Sequence, residues 1–407
     1  MEIYSKILRE VAEEIKNWSG TVGIVFHDDA DGLCAAGIAV TALKKTGLNY
    51  KLICIEKIHP AILKLIHSTN LERYLYLDIG SGKADLIKNI AEESGSRVVI
   101  VDHHDPVKVE SKNVVNLNPE LYGFRGERDV SGSTATYLLM KNIEDVRESA
   151  WMAVVGSAEI PGELESLNKI PLEDAVKIGD VEVRRGRETS YYISFLDKPW
   201  SKISTTLTII GSVGYYRGGP NKAVENLTQR KIDFVEAEKL EEERKSKFNQ
   251  ALNYISRTRL KIEGFVQWFH LENMFKGFGS KTIGTFCSTL SYKSIIDQEK
   301  YLVGFMNFEK SIPGLGEIQD ELVKVSVRTP RKLSEYIEAG RMPPASKLTM
   351  KSAETVGGTG DGHSFAASAI IPSGKERDFI KIFNNIVENR QTPLLERKPI
   401  LQKHVFS

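Results

Sequence analysis

Cysteine is scarce: Cys34, Cys54 and Cys287 are the only three in 407 residues, too far apart for metal-finger spacing. They read as reduced core side chains of a cytoplasmic protein. No apolar run approaches the ~20 residues needed to cross a bilayer, so no membrane partner is expected. The N-terminus is an amphipathic helix carrying acidic residues, not a signal peptide. Charge of one sign is lacking too. Lys and Arg number 55 against 54 Asp and Glu, a formal +1, so any surface for nucleic acid must be local. Internal repeats and low-complexity segments are absent. What remains, 41% hydrophobic and 27% charged residues, is ordinary for a soluble globular protein long enough for two domains.

The first ~145 residues alternate between strand and helix patterns. After a helix at 5–18, strands are expected at 21–26, 51–55, 74–77 and 98–101, with helices at 33–43, 59–67 and 84–93 between them. A short extended run at 114–117 and helices at 133–142 and 147–158 follow. Such alternation means βαβ units, a parallel sheet and right-handed crossovers. Three of the strands end in turns rich in Asp and His: His27-Asp28-Asp29-Ala30-Asp31-Gly32, Asp78-Ile79-Gly80-Ser81-Gly82 and Asp102-His103-His104-Asp105. Parallel strands point the same way, so all three turns fall on one sheet edge, where open α/β sheets bind ligands.

Carboxylate oxygen suits Mn²⁺ and Mg²⁺, and Mn²⁺ also accepts imidazole. His27, Asp29 and Asp31 alternate, which in an extended turn puts three ligands on one side. Gly32 lets the backbone pass close by. Asp78 and His103 add ligands from neighbouring strand ends. Five such groups can hold two ions ~3.5–4 Å apart, the arrangement that activates water and steadies in-line phosphoryl displacement. Asp102 and His104 then support the ligands or contact phosphate. Any one turn alone would read as a common loop or helix cap; the three together point to a metal site.

Residues 160–225 give no clear pattern, apart from dense charge at 182–188 and a loop at 215–220. Residues 231–256 have helical composition, with Glu241/Lys245 and Glu243/Lys247 pairs at i,i+4. From 257 the pattern becomes α+β, with strands at 265–269, 301–305 and 322–327 and helices at 281–290, 332–337 and 376–387. A glycine-rich turn at 357–362 opens into small residues. Tyr215, Tyr216 and Phe278 are candidate platforms for unpaired bases, though aromatic side chains more often lie in the core. The last residues carry Pro, Arg and Lys and read as a tail.

These motifs resemble the DHH/DHHA1 phosphoesterases, in particular the archaeal RecJ-like single-strand nucleases. His27–Gly32 matches the first motif, Leu77–Gly82 the second and Asp102-His103-His104 the third. Gly358-Thr359-Gly360-Asp361-Gly362-His363-Ser364-Phe365-Ala366-Ala367 is similar to the DHHA1 signature. The resemblance implies an α/β fold: a parallel-sheet DHH domain (1–225), a long connecting helix (226–256), a smaller α+β DHHA1 domain (257–390) and a C-terminal tail (391–407). It implies two Mn²⁺ ions, with Mg²⁺ as the alternative. His27, Asp29 and Asp78 would surround one ion, and Asp31, Asp78 and His103 the other. The family's further aspartate, after the helix that follows the third motif, is missing from residues 153–160. Glu159 is the candidate substitute. Asp361 among the glycines and Ser368 in place of a glycine also depart from the pattern.

Substrate binding is expected at Arg328, at His363 and at the backbone N–H groups of Gly358, Gly360 and Gly362 acting as an anion nest. The implied activity is a Mn²⁺-dependent exonuclease on single-stranded nucleic acid, with a DNA helicase or a replication or repair complex as partner. RecJ likeness favours DNA and 5′→3′ digestion. Two rivals remain open. One is a phosphoesterase on short oligoribonucleotides or a phosphoadenosine. The other is a catalytically weak scaffold bound to a helicase or replisome.

Overall fold

Five short apolar runs pair as one parallel sheet in the computed structural model, which describes residues 2–395. They are β1 (Thr21–Phe26), β2 (Asn49–Cys54), β3 (Arg73–Leu77), β4 (Arg97–Val101) and β5 (Val114–Asn116), in the order β2-β1-β3-β4-β5. Helices α1 (Glu2–Lys16), α2 (Ala30–Thr46), α3 (Pro60–His67), α4 (Ala84–Ser94), α5 (Gly132–Met140) and α6 (Ala150–Gly156) complete this part. Val98 to Val101 are fully buried, as a strand covered on both faces requires. Helix α2 is buried along nearly its whole length, which its run of Ala and Gly permits. A Cβ on Gly37 would come within 2.9 Å of the Met152 sulfur, so glycine leaves room there for the Met152 side chain of α6. The sheet order reverses between β1 and β3, and such a switch point leaves a crevice at the carboxyl ends of the strands.

The chain divides into two compact units. One is Met1–Arg244 with Gly277–Gly279 and Ser311–Gln319; the other is Lys245–Lys276, Ser280–Lys310 and Asp320 onward. The segment from 160 to 225, opaque as sequence, holds α7 (Lys169–Lys177), a small antiparallel sheet of β6 (Val181–Arg185), β7 (Thr189–Ile193) and β8 (Lys198–Pro199), α8 (Trp200–Thr208) and α9 (Gly219–Thr228). The long helix expected at 226–256 is α10 (Phe234–Thr258). Residues 226–228 end α9, and a break at 229–233 separates the helices, with Arg230 in a left-handed conformation (φ 59°).

The second unit is built on a six-stranded sheet ordered β15-β16-β14-β11-β10-β9. Its strands are β9 (Lys261–Glu263), β10 (Val266–His270), β11 (Tyr301–Asn307), β14 (Leu322–Arg328), β15 (Thr359–Gly362) and β16 (Ala366–Pro372). A two-residue ladder joins β12 (Ser311–Ile312) to β13 (Gly316–Glu317) elsewhere in the chain. Helices are α11 (Lys281–Leu290), α12 (Arg331–Glu338), α13 (Ala345–Thr355) and α14 (Glu376–Leu395). Helix α14 runs into the segment read as a tail from 391, and residues 396–407 lie outside those described. The mixed α/β fold with a parallel five-stranded sheet is the one expected. Among the described residues no helix is long and apolar enough to cross a membrane, and all three cysteines are free and buried.

Candidate metal centre

Strand β1 delivers His27 to the sheet edge, and the chain turns at once into α2. Asp29 caps that helix, accepting a hydrogen bond from the Gly32 N–H at 3.1 Å. Asp31 therefore sits in the first helical turn, not in an extended turn with alternating ligands. The capping carboxylate decides this. A Cβ on Gly32 would lie 2.5 Å from the His27 carbonyl oxygen, so glycine is required there. Asp31 reaches the start of α5, where the N–H groups of Gly132 and Ser133 each donate to one carboxylate oxygen at 2.7 Å. The positive end of that helix holds the carboxylate in place.

Asp78 ends β3 in a left-handed conformation (φ 57°), which Asp tolerates better than most residues. Its N–H donates to the Val101 carbonyl at 2.9 Å, tying the turn to β4. The side chain is 1% exposed. A Cβ on Gly132 would stand 2.3 Å from Asp78 Oδ1, so glycine makes room for the carboxylate. Beyond β4, Asp102 is saturated. It accepts from the N–H groups of Ser81 (2.9 Å), His103 (2.8 Å) and His104 (3.2 Å) and from His104 Nδ1 (2.6 Å).

The three strand ends converge on Asp78. His103 Nε2 lies 3.5 Å from Asp78 Oδ1 and 3.6 Å from Asp31 Oδ2. His27 Nδ1 lies 3.7 Å from Asp78 Oδ2 and 2.8 Å from Asp29 Oδ2, the latter without hydrogen-bond geometry. His27, Asp29 and Asp78 form one group of ligand atoms within 4.8 Å of one another; Asp78, His103 and His104 form another. Asp78 Oδ1 is buried and makes no hydrogen bond. Burial, then the negative charges of Asp31, Asp29 and Asp102, push its carboxyl well above the ordinary carboxylate range. Burial also raises Asp31. Crowded, desolvated carboxylates facing imidazole nitrogens are costly without a cation and suit Mn²⁺ or Mg²⁺ with one. The donor set fits such ions.

Burial alone would raise Asp102 and lower His104. Their mutual pairing outweighs it, holding the Asp102 carboxyl far below its usual range and pushing half-exposed His104 up to about 9. Glu159 is exposed at the end of the turn Ser157–Glu159 and belongs to neither group of converging ligand atoms. Gly156, three residues earlier, lies against the Asp31 carboxylate. A Cβ on it would be 2.7 Å from Asp31 Oδ1 and 2.2 Å from Ser133 Oγ, so the end of α6 packs directly on the Asp31 carboxylate.

In the second unit, the glycine-rich signature is a strand and not an open nest. Gly360 and Gly362 pair with Ala369 and Ala367, and the Gly358 N–H donates to the Ala353 carbonyl. The sheet itself needs these glycines: a Cβ on Gly358 would lie 2.3 Å from the Ile370 carbonyl oxygen. Asp361, Ser368 and Lys324 form a chain. Ser368 Oγ donates to Asp361 Oδ1 at 3.0 Å and accepts from Lys324 Nζ at 3.4 Å. The two residues that depart from the family signature thus bond to each other. His363 lies exposed in the turn between β15 and β16. Arg328 is partly buried, and its Nε and Nη1 donate to Ser288 Oγ (2.8 Å), Ser326 Oγ (3.2 Å) and the carbonyls of Val327 (2.9 Å) and Ala367 (3.4 Å).

Several supporting groups were not legible beforehand. His103 Nδ1 donates to the Gly126 carbonyl at 2.8 Å, and the Gly126 N–H donates to Glu120 Oε1 at 2.8 Å. Ser81, Asn116 and Asn118 knit the turns behind Asp102. Most of these contacts run through backbone atoms, which leave no pattern of residue types.

A parallel α/β domain with Asp and His at three adjacent strand ends defines a class, and residues 21–157 match the DHH family, N-terminal domain. That match is confined to the first part of the chain, and the chain has a RecJ-like fold. It is 22% identical over 433 residues to an uncharacterized protein of Methanocaldococcus jannaschii, covering 94% of this chain and 96% of that one. RecJ in complex with Mn²⁺ from Thermus thermophilus superposes with a TM-score of 0.62 at 16% identity, over 95% of this chain and 55% of that one. The chain therefore spans about half the length of that RecJ. An exonuclease RecJ bound to manganese gives 0.59 at 17% identity, over 98% of this chain and 96% of that one.

Proposed function

We propose that this protein is a manganese-dependent exonuclease that hydrolyses phosphodiester bonds in single-stranded DNA, in the cytoplasm, during repair or replication. The observation that carries the proposal is the convergence of His27, Asp29, Asp31 and His103 on buried Asp78. His27, Asp29 and Asp78 would hold one cation, and Asp31, Asp78 and His103 a second. Divalent cations held there supply Lewis-acid activation of water and offset charge on the phosphoryl group. The chain's own groups do the rest. Asp102 fixes the ring of His104, and His104, protonated up to about pH 9, can give a proton to the departing oxygen. Arg328 and His363 would grip strand phosphates.

RecJ likeness supports 5′→3′ polarity, and a helicase or replication complex is the partner we propose. A scaffold without metal would gain by shedding three crowded carboxylates, so their retention favours an enzyme. The test is incubation with end-labelled DNA and RNA single strands of several lengths, with and without Mn²⁺. We expect Mn²⁺-dependent shortening of long DNA strands, lost in Asp78→Ala. Cleavage confined to dinucleotides would favour the short-substrate rival, and Mn²⁺-independent inertness the scaffold.

A further inference from the structure

Tyr292, just past the end of α11, is 83% exposed, the most exposed large aromatic side chain among the described residues. Among those residues its ring meets no other ring and its hydroxyl makes no hydrogen bond. It closes one end of an open groove of about 480 Å³ lined by Thr285, Ser288, Thr289, Tyr292 and Lys293. The spacing 285, 288, 289, 292 is one helical face, so α11 presents three hydroxyls in a stripe that ends on an aromatic ring. Each hydroxyl donates to the carbonyl one turn back, Thr285 to Lys281, Ser288 to Gly284 and Thr289 to Thr285. What each offers outward is an acceptor.

Ser288 belongs to two neighbourhoods. It lines the groove, and it also accepts from Arg328 Nε at 2.8 Å. Among the described residues no carboxylate pairs with Arg328, and all its hydrogen bonds go to neutral oxygens. None of them uses Nη2, which lies 3.0 Å from where a side chain on Gly284 would begin. A desolvated guanidinium with a spare donor and no counter-charge is a place for an anion. Lys293 at the rim adds a second cation.

We propose that this groove binds one unpaired nucleotide of the strand, its base stacked on Tyr292 and its phosphate toward Arg328. The hydroxyl stripe accepts hydrogen bonds from the sugar or the base edge. Stacking on an aromatic ring is tolerant of sequence, as an exonuclease needs. Of the platforms suggested by sequence, Tyr215 and Phe278 are buried, and half-buried Tyr216 packs edge-on against Tyr215. The inference rests on the single-strand reading above.

The test uses the full chain in EDTA, so that no strand is cut, and a fluorescent 12-nucleotide single strand carrying 2-aminopurine. Wild type should bind and quench the 2-aminopurine. Tyr292→Ala should weaken binding roughly 5- to 150-fold, the range for loss of one base stack, and abolish the quench. Tyr292→Phe should keep both. Equal binding and quenching by wild type and Tyr292→Ala would overturn this inference alone, leaving the nuclease reading in place. A strand that does not bind wild type at all would overturn both.

Discussion

His103 donates from Nδ1 to the Gly126 carbonyl, 2.8 Å away, and this bond fixes which nitrogen faces the carboxylates. With Nδ1 carrying the proton, Nε2 is left bare toward Asp78 and Asp31. Gly126 can come so close only as glycine, since a Cβ would fall 1.8 Å from the His103 carbonyl oxygen. Glu120 anchors the arrangement through the Gly126 N–H. Supporting bonds of this kind are worth ten- to a hundredfold in metal affinity.

Glu120→Ala should therefore weaken Mn²⁺ binding by about 10- to 100-fold, read by calorimetry, and mix the His103 tautomers seen by ¹⁵N NMR. Glu120→Gln keeps a carbonyl acceptor and should restore both. Unchanged Mn²⁺ affinity in the alanine variant would show that the loop does not set the ligand.

In the proposed centre Asp78 is shared by both ions, so Asp78→Asn should abolish binding of both. Without metal the same change should stabilise the chain, because it removes a desolvated carboxylate from among three others. A gain of about 1 kcal/mol corresponds to a rise in Tm of roughly 2–4 °C in EDTA. A fall in Tm would mean that Asp78 is satisfied without a cation.

Gly156→Ala should push Asp31 and Ser133 apart, since the new Cβ would lie 2.2 Å from Ser133 Oγ. We expect a loss of about 1–3 kcal/mol in stability by denaturant titration and weaker binding of the ion shared by Asp31 and His103. Wild-type stability would indicate slack at the end of α6.

His104 gives a pH signature. Its pKa is raised in the folded chain to about 9, so the stabilisation from pairing is complete below the unfolded value of ~6.5. It disappears as pH rises through about 9. In metal-free protein, the His104 ring protons should titrate near pH 9 by NMR, and well below that in Asp102→Asn. A wild-type midpoint near 6.5 would refute the pairing.

Much of the first domain was readable from residue types, because parallel strands buried on both faces spell continuous apolar runs. The strand at 21–26 and the helix at 281–290 have the bounds expected of them. The segment from 160 to 225 was not readable. Its hairpin strands are short and half exposed, so Glu182, Arg184 and Arg185 dilute the alternation of Val181, Tyr191 and Ile193. The glycines at 358–362 were ambiguous for another reason. Glycine marks close backbone approach, and sequence does not say whether the neighbour is a ligand or, as here, an adjoining strand.

The sequence by itself determined the ligand types and the strand ends that carry them, since both follow from local apolar patterning and side-chain chemistry. Tertiary structure alone decided how those candidate ligands are held: Asp31 on the start of α5 and against Gly156, His103 on the Gly126 carbonyl. Those contacts join residues far apart in the chain, largely through backbone atoms and steric room, and neither is written in the identity of any single residue.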